Sequence, residues 1–224
     1  MRSTDDVPPQ PVTGHHRPVR PRFRGISHLI AFFVAVIVGP LLVVGSTTTA
    51  ARVSTAVYAV ALAALFGFSA LLHRGRWSPG VEPWMRRLDH STIFVFIAGT
   101  YTPVVALSLG SDATGVLVAA WVGAGLGVVV TIAWIDAPRW VTTSCYLGVG
   151  WIALAVLPQL FDSLGTVRFL LLASGGLLFS TGAVVYARKR PDPVPSVFGY
   201  HEVFHALVIA AVALHFGLIT SLPR

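Results

Sequence analysis

Residues 25–51 read GISHLIAFFVAVIVGPLLVVGSTTTAA, twenty-seven positions without one Asp, Glu, Lys or Arg. A helix needs about 20 such residues to cross the hydrocarbon core of a bilayer, so this stretch alone points to a membrane span. Working outward from it, six more uncharged runs follow: Val53 to His73, His90 to Ser111, Ala113 to Ile135, Trp140 to Phe161, Phe169 to Ala187, and Val203 to Pro223. The seven runs hold 19 to 27 residues each. With 54% hydrophobic and 11% charged residues, and a mean hydropathy of +0.74, the chain is too apolar for a water-soluble domain of its length. The expected fold is an all-α membrane protein, a seven-transmembrane helix bundle spanning 25–224 as one domain. Residues 1–24, polar and rich in Pro and Arg, are expected to be a disordered cytoplasmic tail rather than a cleaved signal peptide.

The charges set the orientation. With the N-terminus cytoplasmic, 13 of the 16 basic residues fall inside, leaving Arg52, Arg168 and Arg224 outside. The positive-inside rule therefore places the C-terminus outside, and the expected location is the plasma membrane of the cell. The net charge of +7 is accounted for by this topology, and no nucleic-acid partner is needed. The single cysteine, Cys145, excludes an intrachain disulfide. Gly123 and Gly127 have the spacing of close helix contacts. Pro40, Pro103 and Pro158 fall inside spanning runs, where they kink a helix or free carbonyls.

The chemistry is carried by His201-Glu202-Val203-Phe204-His205. Four residues advance a helix by about 400° and roughly 6 Å, so both imidazoles face one way and can grip one metal ion. The topology supplies their companions. The second span runs outside to inside and ends at His73, the third starts inside at Asp89, and the seventh starts inside at His201. His73, His201 and His205 are thus expected to hold a metal near the cytoplasmic face, and three imidazoles with water favour zinc. Asp89 is expected to orient or deprotonate a water there, although alone it would read as a cap of the third helix. Ser69, one turn from His73 on the same helix face, is expected to hydrogen-bond to the water or to a developing oxyanion. Glu202 reads first as a helix-start residue favoured by the dipole, and second as the base of a zinc protease. His28 and His90 carry no specific signal, and His215 lies about 21 Å along the helix from His201, too far to share its ligand set.

Three blocks carry a family resemblance: Ser69-Ala-Leu-Leu-His73, Leu88-Asp-His-Ser-Thr-Ile-Phe-Val-Phe-Ile-Ala-Gly-Thr-Tyr-Thr-Pro103, and Gly199-Tyr-His-Glu-Val-Phe-His-Ala-Leu-Val208. With the Arg24 to His28 start, the chain resembles the haemolysin III family of the progestin and adipoQ receptor superfamily over about residues 22–222. The resemblance implies seven helices with an inside N-terminus, zinc on His73, His201 and His205, and Asp89 acting through water. It also weakens Glu202 as a base, since receptor members can carry glutamine there. The family often has Glu and Asn before the first-helix histidine, where this chain has Arg24 and Gly25. The superfamily's metal motif is similar to that of alkaline ceramidases, which implies hydrolysis of an amide-bearing membrane lipid. The rival expectation is a non-enzymatic receptor-like sensor or membrane-permeabilising cytolysin with a structural zinc. A membrane-embedded protease is a poorer option, because no separate Asp-Gly ligand motif is present.

Overall fold

A computed structural model describes residues 21–224, so residues 1–20 of the expected tail lie outside it. The described residues form seven α-helices: α1 Ile26–Val44, α2 Thr49–Arg74, α3 Glu82–Ser108, α4 Thr114–Ala133, α5 Arg139–Gly150, α6 Leu157–Arg188 and α7 Tyr200–Ser221. Two 3-10 segments, Gly110–Ala113 and Trp151–Val156, interrupt the order. Six stretches are long and apolar enough to cross a bilayer: α1, α2, α3, α4, the continuous stretch Arg139–Arg188, and α7.

That fifth stretch departs from the expectation of one helix over Trp140 to Phe161. α5 ends at Gly150 and the chain tightens into the 3-10 segment, and Pro158 then sits in the first turn of α6. A proline has no N–H to give to the preceding turn, so a helix restarts at it more readily than it runs through it. The freed backbone is taken up by Tyr101 of α3, whose hydroxyl donates to Gly150 O and accepts from Ala153 N, each at 2.7 Å. The chain then reverses at Gly165, whose φ of 69° and ψ of 170° interrupt α6 and split it into 157–164 and 166–188. Only glycine adopts that backbone readily. After the reversal the chain runs back: the Arg139 guanidinium at the start of α5 lies over Tyr186 near the end of α6.

A second departure concerns α3, which starts at Glu82, with Pro83 in its first turn, rather than near Leu88. The helix extends past the apolar run and carries Arg86 and Arg87, which reach Asp136 and the Ile132 carbonyl. Asp89 therefore lies two turns inside α3 and is not its cap.

The buried core lies between α1, α2, α3, α6 and α7 and is built on Tyr58, Leu62, Phe96, Val208, Val212 and Leu218. Outward faces carry Ile30, Ile37, Leu41, Leu126, Val167 and Leu170, all exposed. Apolar side chains on the outside of a bundle suit lipid as their solvent, where backbone groups must be satisfied within helices. Small residues admit large neighbours, as the spacing predicts. Gly123 faces Val149, while Gly127 receives the Phe94 ring and Gly175 the His215 ring.

The end contacts fix which helix ends meet. Arg24 before α1 pairs with Glu202 at the start of α7, and Arg139 donates to the Tyr200 hydroxyl. At the opposite end Thr47 donates to the Arg224 carbonyl, and Arg168 reaches Ser221. The C-terminal end of α2 and the N-terminal ends of α1, α3 and α7 thus share one end of the bundle, as the alternating topology requires.

Candidate metal centre

α2 delivers His73 to the shared end because its helix continues to Arg74 and stops at Gly75. α7 begins at Tyr200 through a capping box, in which Glu202 Oε2 accepts from Gly199 N at 2.9 Å. That start puts His201 and His205 in the first two turns of α7, facing His73. One ring nitrogen from each of His73, His201 and His205 lies within 4.8 Å of the others. The Nε2 atoms of His73 and His201 are 3.0 Å apart. The His205 ring centroid lies 4.4 Å from that of His201 and 5.3 Å from that of His73.

Do these residues fit a metal? Tetrahedral zinc with Zn–N of about 2.0–2.1 Å holds its nitrogens roughly 3.3 Å apart, a value inside the range the three imidazoles span. His205 is 2% exposed and its Nδ1 has no hydrogen-bond partner among the described residues. A polar ring at that depth is costly unless it takes part in another polar interaction, and a cation shared with two neighbouring imidazoles is one. The donor set fits a transition metal that accepts neutral nitrogen ligands.

Asp89 reaches the cluster from α3, its Oδ2 3.9 Å from His73 Nε2. It is buried, and no basic side chain other than this imidazole forms an ion pair with it among the described residues. Ser69 sits one turn from His73 and lies against the Asp89 carboxylate, but its firmest contact is a different one. The Ser69 hydroxyl is 2.8 Å from Nδ1 of His28, a residue of α1. The His28 ring stacks on His205 with centroids 3.6 Å apart and planes 6° from parallel. His28 therefore supports both a predicted ligand and the predicted serine. Spacing could not find it, because it has no partner at i+4. Topology could, since α1 starts at the same end as α7 and places His28 one turn in.

The remaining candidates separate cleanly. Glu202 is 2% exposed, and its second oxygen pairs with Arg24 Nε at 2.7 Å, so its carboxylate is committed to the helix start and to α1. His90 contributes its backbone carbonyl to Tyr146 and stands outside the three-histidine cluster. His215 is held by the Leu172 carbonyl at 3.1 Å. It too is absent from the cluster, as its distance along α7 requires.

An apolar cavity of about 230 Å³ begins at this centre. Ser69, Asp89 and His205 line one part of it, and Val104, Leu160 and His215 line another. The three-histidine cluster and the Asp89 carboxylate thus border a space that accepts hydrocarbon.

Comparison with known proteins identifies the family. The sequence pattern of the family described as haemolysin-III related matches residues 16–216. Hemolysin-3 of Bacillus cereus is 33% identical over 171 residues, covering 75% of this chain and 74% of the relative. The Hemolysin-3 homolog of Bacillus subtilis (strain 168) is 32% identical over 165 residues, covering 73% and 74%. The human monocyte to macrophage differentiation factor is 26% identical over 216 residues, covering 93% and 87%. The chain belongs to the haemolysin-III related family, within the progestin and adipoQ receptor superfamily.

Proposed function

We propose that this haemolysin-III related membrane protein is a zinc-dependent hydrolase of an amide-bearing membrane lipid. It would cross the plasma membrane seven times from a cytoplasmic N-terminus, as a single domain over 25–224. The observation that carries the reading is the convergence of three imidazoles and a buried carboxylate at the end of an apolar cavity. The antiparallel return of the chain at Gly165 supports counting the stretch 139–188 as two spans.

A zinc ion held by His73, His201 and His205 would supply Lewis-acid polarisation of the scissile carbonyl and a more acidic water. The chain's own residues do the rest. The cavity admits the acyl chain and sets the amide beside Asp89, excluding bulk water from the hydrocarbon side. Asp89 takes a proton from the attacking water as its oxygen bonds to the carbonyl carbon. It returns that proton to the amide nitrogen as the C–N bond breaks, giving a carboxylic acid and an amine. When His28 carries its proton on Nδ1, it donates to Ser69 Oγ, and the serine proton is free for Asp89 or for the developing oxyanion.

The test is turnover of a ceramide-type lipid by purified protein in nanodiscs, before and after chelation and in Asp89→Ala. General acid–base assistance is worth about 10²–10⁴-fold, and the Asp89→Ala loss should fall in that range. Turnover indifferent to both treatments would refute the hydrolase. A second reading has its own support, because the histidines tie α2 to α7 and two relatives are named haemolysins. In it the zinc is structural and the protein senses or permeabilises; liposome leakage without lipid turnover would select it.

A further inference from the structure

The cytoplasmic side of the histidine cluster is covered by two short segments that are fastened to each other. The lead-in to α1 lies across the end of α2. Gly25, at φ 76°, presses so close that a Cβ there would stand 2.6 Å from the His73 Cβ. The loop before α7 folds into a turn, with Val194 N donating to Phe198 O and Phe198 N to Val194 O. Its Asp192 carboxylate accepts from Tyr200 N at 2.7 Å, which secures the loop to α7. The lead-in then joins the loop through Arg22 N to Ser196 O at 3.0 Å and Phe23 N to Val197 O at 3.1 Å. Below these lies one ion pair, Arg24 Nε to Glu202 Oε1 at 2.7 Å, with side-chain exposures of 20% and 2%.

A buried ion pair is a poor source of net stability, because desolvation offsets most of its attraction. Breaking one partner is costly all the same, since the other is left charged and buried. Such a contact makes a sharp fastening: it is closed as a pair and unfavourable half-open. Its position is specific, because Glu202 follows the ligand His201 directly and Arg24 precedes Gly25, which packs on the ligand-bearing residue His73.

We propose that residues 22–25 and the 192–199 loop form a cover over the metal centre, latched by Arg24 and Glu202. Opening of this latch sets the rate at which the metal enters and leaves. The proposal rests on the metal centre described above. It gives Glu202 a task distinct from a base and makes Arg24 a positioning residue.

The experiment is metal release from zinc-loaded protein in nanodiscs, mixed rapidly with excess chelator that reports zinc optically. Glu202→Gln retains an oxygen for Gly199 N and removes only the charge facing Arg24, so it separates the latch from the helix cap. Glu202→Gln and Arg24→Gln should each speed release by about tenfold or more, as expected when one partner of a buried pair is truncated. Their combination should be no faster than either alone. A cysteine pair, Phe23→Cys with Val197→Cys in a Cys145→Ser background, tests the opposite direction. Oxidised, it should slow release by about tenfold or more relative to the same protein reduced. Where the Gln variants fail to fold or the two approaches disagree, the cross-link decides. Release unchanged by cross-linking overturns the latch and leaves the metal centre standing; wild-type protein that holds no metal overturns both.

Discussion

Replacing His28 separates two contributions that the structure assigns to one ring. His28 is 3% exposed, stacks face to face on His205, and is bonded to Ser69 at 2.8 Å. His28→Phe preserves a flat ring of similar size against His205 and keeps the edge contact with Phe66. It deletes the bond to Ser69, at about 0.5–1.5 kcal/mol, and leaves the hydroxyl with the Asp89 carboxylate as its partner. His28→Ala deletes the ring as well, and an aromatic stack is worth about 0.5–1.5 kcal/mol beyond its burial. Zinc affinity should therefore stay within about threefold of wild type in His28→Phe, since the orientation of His205 is retained. In His28→Ala it should fall by about 2- to 12-fold, the stacking energy expressed as a binding ratio. Lipid turnover at saturating zinc should fall by about 10- to 100-fold in both, because both release Ser69. Affinity comes from competition with a chelating dye, and turnover from release of the fatty acid. If His28→Phe binds zinc as weakly as His28→Ala, the stack does not orient His205. If turnover is unchanged in both, Ser69 does not act through His28.

Two further predictions concern the frame around the cavity. Gly175→Ala should lower the thermal midpoint at a cost of about 1–3 kcal/mol, because its methyl would enter the His215 ring. The neighbouring Gly176 has nothing within 4 Å of such a methyl, so Gly176→Ala should stabilise by up to about 1 kcal/mol through helix propensity. Equal shifts in the two would refute the close approach of α6 to His215. Tyr101→Phe strands Gly150 O and Ala153 N in an apolar setting, and should destabilise by about 2 kcal/mol and speed amide exchange at Ala153. Unchanged exchange there would mean that another group satisfies the break.

The helices were legible where apolar length alone decides, as in α1, α2, α4 and α7. They were less legible where a helix outruns the membrane. Charge counting ends a span at Arg86 and Arg87, yet nothing stops the backbone from continuing, so α3 reaches back to Glu82. The fifth stretch has the length of a span without its regularity, and its break depends on a tertiary partner, Tyr101, that no local pattern announces. Among the site residues, His201 and His205 are paired by helical spacing, and His73 joins them through topology. His28 enters only through contacts, its ring packed flat on a histidine 177 positions away in sequence. The engagement of Glu202 with Arg24 was likewise hidden, because an ion pair across 178 positions leaves no periodic trace.

The number of donors bears on whether the metal acts or only holds. Structural zinc sites close with four protein ligands, whereas catalytic ones keep three and leave a position open. The described cluster has three histidines, and the nearest acid, Asp89, stands 3.9 Å from the His73 nitrogen. Glu202, which follows His201 in α7, is engaged by Gly199 and Arg24. Asp89 thus lines the cavity beside the three imidazoles, while the Glu202 carboxylate is occupied at the start of α7. If the metal served only to join α2 and α7, an acid lining an apolar cavity would carry a desolvation cost with no return. A buried acid beside three imidazoles and a space for hydrocarbon is the arrangement that acid–base work on a lipid would require. The same residues supply the decisive comparison: Asp89→Asn should keep zinc bound to the three histidines while lowering turnover by about 10²–10⁴-fold, whereas with a purely structural centre the wild type would turn over no lipid and Asp89→Asn would leave zinc binding unchanged.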